Sequence, residues 1–555
     1  GVINIVTRQR QNLGFEGSVS AEYTQRQKPS FAEYSNLSFS NKFMVIDYSI
    51  SNYNEHANSD IQTEYTYPTY TRVSSAESKM KYDGLTQSLS TNFFLNDKMN
   101  IGFLGSFAYT KNGFDKNSSV EYTNGNGTKV DEFTKRKGDF HSVTFTPYYE
   151  WNIDSLGKKL TINYNFSRTH DKGHQQYISD VELPFSESRI NSLYIYNSYN
   201  LDLKLPFTIM NFEAGCEYRH YRVNNRAEYS TLEDFLYKES VISTYFDANK
   251  SFGKWYVKVG ARYEHTTQNG FSEDGSNTFE LKYGKLFPFV DVTFHPAETS
   301  TLVFGYSKRI QRPAMWCLDP TRGYSDSYHH EEGNPQLNPT MMDYLELKYM
   351  VNNLYIELSY NYTKDGIIQI FNDDGDGVMG CTYTNGLKMH SFGGNANYTF
   401  NANKLSVNIG GSLYYNKAVS TSPDLTDDEL NGYTSSFSST VSYKFKDNIT
   451  SFARYYYVFP GLSESVHFKS YQALNMGANM RFLKDKLDLE IGATDIFKTN
   501  KSRNRIDYST FTLTSNINNN IRSFYLKISY RFGNNKVRHS YVDVNNGDGR
   551  MPSSR

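Results

Sequence analysis

The sequence has few cysteines, no long apolar run and no excess of either charge. Its three cysteines, Cys216, Cys317 and Cys381, are too few for a disulfide framework and lack the spacing of metal ligands. A membrane-spanning helix needs about 18 or more consecutive apolar residues, and the sequence contains no such run. The 58 basic and 59 acidic side chains nearly cancel, so no overall field favours a nucleic-acid partner.

Recognisable catalytic motifs are also missing. The sequence contains no G-x-S-x-G nucleophile elbow and no P-loop. The segment GDGVMG (375–380) fits G-x-G-x-x-G, but a dinucleotide site needs a helix after it. The CTYTNG that follows is typical of a turn and a strand. We therefore predict no enzyme and no bound cofactor.

Aromatic residues are abundant instead. The chain contains 47 Tyr and 38 Phe, and aromatics make up 16% of its 555 residues. A disordered chain has few aromatics, and Tyr, Phe, Asn and Thr are poor helix formers. The composition therefore favours β-strands.

Alternation of apolar and polar residues is the dominant pattern. In WYVKVGARYE (255–264), Val257 and Val259 share one face, whereas Lys258, Arg262 and Glu264 lie on the other. A period of two with one polar face predicts an antiparallel strand. The same pattern recurs in LYIELSYNY (354–362), LSVNIGGSLYY (405–415), LDLEIGA (487–493) and FYLKISYRF (524–532).

Two kinds of connection separate these strands. Short turns, such as the one at 352–353, alternate with connections that are usually longer and polar, predicted at 55–77, 112–137, 171–190, 266–282, 311–340 and 499–520. Short turns at one end and long loops at the other are typical of a transmembrane β-barrel, with the turns in the periplasm and the loops outside the cell.

The predicted fold is therefore all-β, an antiparallel transmembrane barrel of about 22 strands. It covers residues 15–533 and is followed by a polar periplasmic tail at 534–555. Because lipid offers the backbone no hydrogen-bond partner, the barrel must close. The strand that begins at Phe15 should pair with the last strand, 524–532, and Cys216 should lie on the lipid face.

Three motifs resemble the TonB-dependent outer-membrane receptors. GVINIVTR (1–8) resembles the segment that closes their plug domain. KRIQRP (308–313), followed by EGNPQLNP (332–339), resembles a paired signature of their barrel, especially in the branch common in Bacteroidota. The terminal YRFG (530–533) is also typical. The motif positions carried over from the resemblance are Arg309, Arg312, Pro313, Gly333, Asn334 and Pro335.

The resemblance implies uptake of a scarce ligand across the Gram-negative outer membrane, driven by the TonB complex acting on the plug. The ligand would be a siderophore, cobalamin, a peptide or an oligosaccharide. Residues 1–14 would then be the end of the plug and its connection to the barrel, with the signal sequence and most of the plug absent from this chain. Two alternatives stay open: a plugless passive channel or structural barrel, and a soluble β-rich enzyme or lectin.

The ligand-facing residues are predicted in the loop 311–340. HHEEG (329–333) lies there with aromatic side chains nearby. Its imidazole and carboxylate groups suit a transition metal or a metal chelate, but the spacing is not that of a known metal motif, so no metal site is predicted. The predicted substrate-binding residues are Trp316, Tyr328, His329, His330, Glu331 and Glu332.

Two further features of the loops remain alternatives. NDDGDG (372–377) resembles the start of a calcium loop, but Tyr383 stands where a bidentate Glu is needed, so a solvated acidic loop is favoured. Cys317 and Cys381 lie in neighbouring predicted loops, and a disulfide between them is left open. A partner lipoprotein is likewise left open.

Overall fold

The computed structural model describes residues 14–123, 129–182, 185–229, 232–271, 277–326, 329–373, 378–422, 425, 429–533 and 550. The predicted end of the plug, residues 1–13, lies outside this part of the chain. No helix in the described ranges is long and apolar enough to cross a membrane.

Strands account for nearly all the regular structure of the described residues. In chain order, they are β1 (Gly14–Gln25), β2 (Pro29–Ser40), β3 (Met44–Thr66), β4 (Thr71–Phe94), β5 (Met99–Thr123), β6 (Lys129–Asn152), β7 (Lys159–Ser179), β8 (Glu187–Pro206), β9 (Asn211–Glu228), β10 (Leu232–Phe252), β11 (Trp255–Phe271), β12 (Asn277–Ala297), β13 (Ser300–Gln311), the short helix α1 (Met315–Leu318), β14 (Gly323–Asp326), β15 (His329–Glu331), β16 (Thr340–Val351), β17 (Leu354–Asp373), β18 (Met379–Ala402), β19 (Leu405–Ser420), β20 (Glu429–Lys446), β21 (Ile449–Val458), β22 (Gly461–Ser463), β23 (Val466–Phe468), β24 (Tyr471–Phe482), β25 (Leu487–Thr494), β26 (Ser502–Asp507), β27 (Thr512–Asn518) and β28 (Ser523–Gly533).

The strands form a closed antiparallel barrel of 22 strands, which confirms the predicted fold. Six short strands, β14, β15, β22, β23, β26 and β27, lie within its loops. Each wall strand pairs with its neighbour along the chain. The barrel closes where β1 pairs with β28, from Glu16 opposite Gly533 to Gln25 opposite Phe524. Closure leaves no unpaired strand edge in the bilayer, where an unsatisfied backbone group costs several kcal/mol.

Side-chain alternation divides the wall into a lipid face and a lumen face. On β11, the outward residues Trp255, Val259 and Tyr263 are 43%, 44% and 48% exposed. The inward residues Lys258 and Arg262 make ion pairs. This arrangement confirms the faces predicted from the period of two, because only apolar side chains are stable against lipid. Cys216 is exposed, as the lipid-face prediction requires.

Four of the predicted long loops are instead extensions of the barrel hairpins. Residues 55–77 belong mostly to β3 and β4, which pair as far as Thr66 and Thr71. The described residues of the segments 112–137, 171–190 and 266–282 likewise continue β5–β6, β7–β8 and β11–β12. β5 has 25 residues, whereas crossing the bilayer takes about 9–11. Outside the bilayer neither face meets lipid, so a polar sequence there remains in strands. The connections 312–339 and 495–522 are long, as predicted.

Candidate functional site

Arg312, of the KRIQRP motif, joins three strands of the lumen wall. It directly follows β13, and its side chain reaches across β12 to β11. Its Nη2 donates to Glu264 Oε2 at 2.6 Å and to Thr266 Oγ1 at 3.1 Å. Its Nε lies 4.0 Å from Glu239 Oε1 on β10. Arg312 and both carboxylates are buried. A buried charge is stable only with a partner, so these residues fix the end of β13 against the wall.

Further ion pairs extend from Arg312 along the lumen faces of β9, β10 and β11. Basic and acidic side chains alternate there, so that each carboxylate meets at least one cation. We call these contacts, with those of Arg312, the β9–β11 ion-pair network. They are Arg262 with Glu217 at 2.8 Å, Arg262 with Glu264 at 2.7 Å, Arg219 with Glu264 at 3.5 Å, and Lys258 with Glu213 and Asp247, each at 3.2 Å.

The EGNPQLNP motif organises the loop 312–339. The Gly333 amide donates to Asp319 O at 2.7 Å, and the Asn334 amide donates to Cys317 O at 2.6 Å. A Cβ at position 333 would lie 2.5 Å from Asp319 O and 2.6 Å from Trp316 O, so only glycine fits. Asn334 Nδ2 also donates to Tyr383 O at 3.0 Å. The motif therefore holds the loop against α1 and β18.

Helix α1 anchors the same loop to the inner wall of the barrel. Its Met315, Cys317 and Leu318 are buried with Leu337 against the lumen-facing residues Tyr196, Tyr221, Val223, Phe235 and Tyr237. These residues form the first apolar cluster. Burial of each large apolar side chain stabilises this arrangement by about 1.5–3 kcal/mol. Trp316, in the same helical turn, is 62% exposed.

The structure places the predicted substrate-binding residues in one loop but gives several of them internal partners. His330 is 2% exposed. The hydroxyl of Tyr383 donates to Glu331, and Arg322 Nε donates to Glu332 Oε2 at 2.8 Å. The ring of His329 lies 6.0 Å from that of Phe371, and Tyr328 is outside the described residues. Of this predicted set, Trp316 is the side chain best placed to meet a ligand.

The remaining motif residues have structural positions. Arg309 is exposed, donates from Nε to Ser307 Oγ at 2.8 Å and stacks 4.4 Å from the centre of the Tyr344 ring. Pro313 is buried directly after Arg312, and Pro335 is half-buried within the turn that Asn334 caps. Neither proline can donate a backbone hydrogen bond, which suits positions outside the strand ladders.

Cys317 and Cys381 are free thiols, and both are buried. Burial, followed by the nearby Glu331 carboxylate, raises the pKa of the Cys317 thiol to about 11. A thiol with such a pKa is mostly protonated at neutral pH and therefore a weak nucleophile. Among the described residues, no group of three or more His, Cys, Asp or Glu side chains is arranged to hold a metal ion. The proposed calcium segment lies mostly outside the described ranges.

A second apolar cluster is formed by residues of β3, β17–β20 and the loops. It joins β17–β20 to the loops 459–470 and 495–522 through Tyr65, Ile368, Ile370, Met379, Leu387, Ala418, Leu425, Leu430, Leu462, Tyr508, Phe511 and Leu513. Beside it, a cavity of about 960 Å³ is lined by the hairpins of β3–β7 and by β26 and β27. Sequence reasoning missed this cavity because strands far apart in the chain contribute its lining.

The lower lumen is polar. A groove of about 870 Å³ runs along the inner wall where β1–β6 meet β28. Serine and threonine side chains dominate its lining, which includes Ser18, Ser38, Ser49, Ser88, Ser90, Ser106, Thr144 and Thr146. Such a surface suits water or a polar domain, because hydroxyl groups left unpaired in a dry interior would cost free energy.

A closed 22-stranded barrel with a polar lumen and with loops folded over apolar clusters at one end defines a class of outer-membrane protein. The chain belongs to the outer membrane protein beta-barrel family, whose model matches residues 151–530. It is a protein of the Gram-negative outer membrane. The outer-membrane barrel that the sequence motifs implied by their resemblance is confirmed. No curated protein matches the chain.

Several solved structures share this fold at low sequence identity. A ferric enterobactin receptor from Pseudomonas aeruginosa superposes with a TM-score of 0.59 at 13% identity, covering 94% of this chain and 80% of its own. The copper transporter OprC gives a TM-score of 0.64 at 11% identity, covering 93% and 80%. The FrpB iron transporter from Neisseria meningitidis gives 0.59 at 11% identity, covering 94% and 81%. At these identities the similarity establishes the fold.

Proposed function

We propose that this chain is the barrel of a TonB-dependent receptor that takes up a scarce ligand too large for general porins. The ligand is a siderophore, cobalamin, a peptide or an oligosaccharide. It binds at the extracellular mouth and passes through the lumen when the TonB complex acts on a plug domain. The similar structures that bind iron complexes and copper support a transport role for the fold.

The observation that carries the proposal is the contrast between the mouth and the lumen. At the mouth, two apolar clusters hold long loops in defined positions. Below them, the wall carries the β9–β11 ion-pair network and a groove lined by hydroxyl groups. A barrel with a purely structural role needs neither ordered loops at its mouth nor a polar lumen. A receptor needs both, since the loops select the ligand and the lumen admits it.

Trp316 is the proposed contact for the ligand at the mouth. Its indole is exposed while the rest of α1 is buried, so the buried side chains of the helix fix the backbone that carries the ring. A large aromatic face held rigidly stacks on sugar, porphyrin or aryl groups with little loss of entropy. The cavity of about 960 Å³ beside β26 and β27 has a volume typical of small-molecule sites.

Growth of a deletion strain tests the uptake function. The strain is compared with its parent on single sources of iron, cobalamin, peptide and glycan, each at limiting concentration. We expect a defect on one source, reproduced by deleting the TonB complex. A defect that does not depend on the TonB complex would support a passive channel instead.

Fluorescence tests the role of Trp316 separately. The chain has three tryptophans, so replacing Trp151 and Trp255 by Phe leaves the indole of Trp316 as the reporter. The ligand identified by growth should quench or shift its emission. Trp316→Phe should retain part of the affinity and Trp316→Ala should lose most of it. Unchanged affinity in the alanine variant would contradict a ligand site at α1.

A further inference from the structure

The carboxylate of Glu239 on β10 is fully buried in the barrel wall. Its side chain is 0% exposed and faces the lumen. It accepts hydrogen bonds from Tyr237 Oη at 2.8 Å and from Gln268 Nε2 at 2.7 Å. Gln268 stands opposite it in the β10–β11 register. Both neutral donors bind the same oxygen, Oε2, and fix the orientation of the carboxylate, but they do not compensate its charge.

The wall supplies cations unequally to two of its buried carboxylates, Glu264 and Glu239. Glu264 has Arg312 at 2.6 Å, Arg262 at 2.7 Å and Arg219 at 3.5 Å. Among the described residues of the wall, Glu239 has Arg312 alone as a cation, at 4.0 Å. A buried carboxylate needs a close positive partner. Glu239 therefore needs a cation from a part of the protein, or from a ligand, outside this wall.

Arg550, far along the chain, supplies that cation in this structure. Its Nη2 donates to Glu239 Oε1 at 2.6 Å and its Nη1 donates to Oε2 at 3.2 Å. Its guanidinium also lies 4.6 Å from the centre of the buried Tyr221 ring. The Arg550 side chain is only 11% exposed. It belongs to the segment predicted as a periplasmic tail, yet this residue lies against the lumen wall.

The geometry discriminates between kinds of cation. Two parallel bonds to one carboxylate require the planar fork of a guanidinium, which an ammonium group cannot reproduce. The aromatic face of Tyr221 adds a cation–π contact that a flat cation fits best. The carboxylate, the amide and the two tyrosines therefore form a site for a guanidinium group.

We propose that Glu239, Gln268, Tyr237 and Tyr221 form a guanidinium-binding site in the lumen, for which Arg550 and an arginine side chain of a peptide ligand compete. The peptide part rests on the proposed uptake function and narrows its ligand to an arginine-bearing peptide. The site itself does not depend on transport. Occupancy by Arg550 keeps the buried charge neutral when no ligand is bound.

Calorimetric titration of the purified full-length chain in detergent tests the site. The probes are N-acetyl-arginine methylamide and its citrulline and lysine analogues. Arg550→Ala removes the internal competitor, so it should bind the arginine probe at least severalfold more tightly than the unchanged chain, since a tethered group competes at an effective concentration near the millimolar range. In Arg550→Ala, the citrulline and lysine probes should bind roughly tenfold or more weakly, because each loses a charge-assisted bidentate pair.

Substitutions in the wall complete the test in the Arg550→Ala background. Glu239→Gln should abolish the preference for arginine over citrulline, whereas Glu213→Gln, on the same wall but bound to Lys258, should retain it. Tyr221→Leu keeps the carboxylate and should weaken binding of the arginine probe severalfold. This variant tests the site if Glu239→Gln does not fold. Absence of arginine binding by Arg550→Ala, or equal binding of citrulline, would overturn the proposal.

Uptake distinguishes this inference from the proposed function. Arginine-specific binding without peptide-dependent growth would support the guanidinium-binding site and refute peptide transport. Peptide-dependent growth that Glu239→Gln leaves unchanged would support transport and refute the role of the site in it.

Discussion

Replacing Arg312 by Gln should destabilise the barrel more than any change at an exposed arginine of the same motif. The variant loses the charge-assisted bond to Glu264 at 2.6 Å and the bond to Thr266 at 3.1 Å. Breaking a buried ion pair by removing one partner costs about 3–5 kcal/mol when the other charge is stranded. Here Glu264 keeps Arg262 at 2.7 Å, so the charge is only partly uncompensated. We expect a loss of about 2–3 kcal/mol in the free energy of unfolding.

Urea unfolding of the barrel in lipid vesicles, followed by tryptophan fluorescence, measures this loss. Arg309→Gln is the matched control because Arg309 lies three positions earlier and is exposed, with contacts to Ser307 and the Tyr344 ring. An exposed cation of this kind contributes about 1 kcal/mol or less. Arg312→Gln should also expose the loop 312–339 to protease. Equal midpoints for the two variants, with unchanged slopes, would refute the idea that the ion-pair network stabilises the wall.

Three further predictions concern the lipid face and the loop. Val259 is exposed and is the fifth residue of β11, and a strand crosses the bilayer in about 9–11 residues. Val259→Arg should therefore lower the free energy of unfolding by about 2–4 kcal/mol. Val259→Ala in the same vesicles is the control, and equal losses would contradict the assignment of faces. Gly333→Ala should destabilise the loop by about 1–3 kcal/mol through overpacking, which faster proteolysis would show. Gly411→Ala is the control and should have a mild effect, because its added Cβ would lie 3.4 Å from the nearest atom. Equal proteolysis of the two variants would contradict the close approach at Gly333. Burial raises the pKa of the Asp319 carboxyl above its ordinary value, so the folded loop binds this proton more tightly than the unfolded loop. The loop should therefore lose stability as the pH rises from about 4 through the raised pKa. Hydrogen exchange of the loop measures this loss, and an unchanged pH dependence in Asp319→Asn would exclude Asp319 as its source.

The lumen network shows why motif residues and functional residues need not coincide. KRIQRP and EGNPQLNP identified the family, and their residues Arg312, Gly333 and Asn334 fix the loop 312–339 to the wall and to α1. The charged side chains of HHEEG largely bind within the protein, through Tyr383 and Arg322. The exposed Trp316 remains the predicted ligand contact. The motifs therefore predict how the loop 312–339 is held in place, and they do not identify a ligand.

The sequence by itself determined the barrel. Alternation in segments such as 255–264 is a local property of an extended backbone, whose successive side chains point to opposite faces, so it predicts both the strands and their lipid side. The position of the short turns gave the strand number, and the lack of hydrogen-bond partners in lipid gave the closure of β1 on β28. Each of these inferences uses residues close together in the chain, or the general requirement that lipid-exposed edges be paired.

Only the tertiary structure decided the interior of the barrel and its mouth. Whether residues 55–77 form a loop or continue as strands depends on pairing with neighbours, because polar sequences outside the bilayer carry no alternation that distinguishes the two. The contacts of Arg312 with Glu264, 48 positions away, and of Arg550 with Glu239, 311 positions away, exist only in the folded chain. No local pattern encodes such pairs, since a charged side chain looks the same in sequence whether water or a buried partner stabilises it.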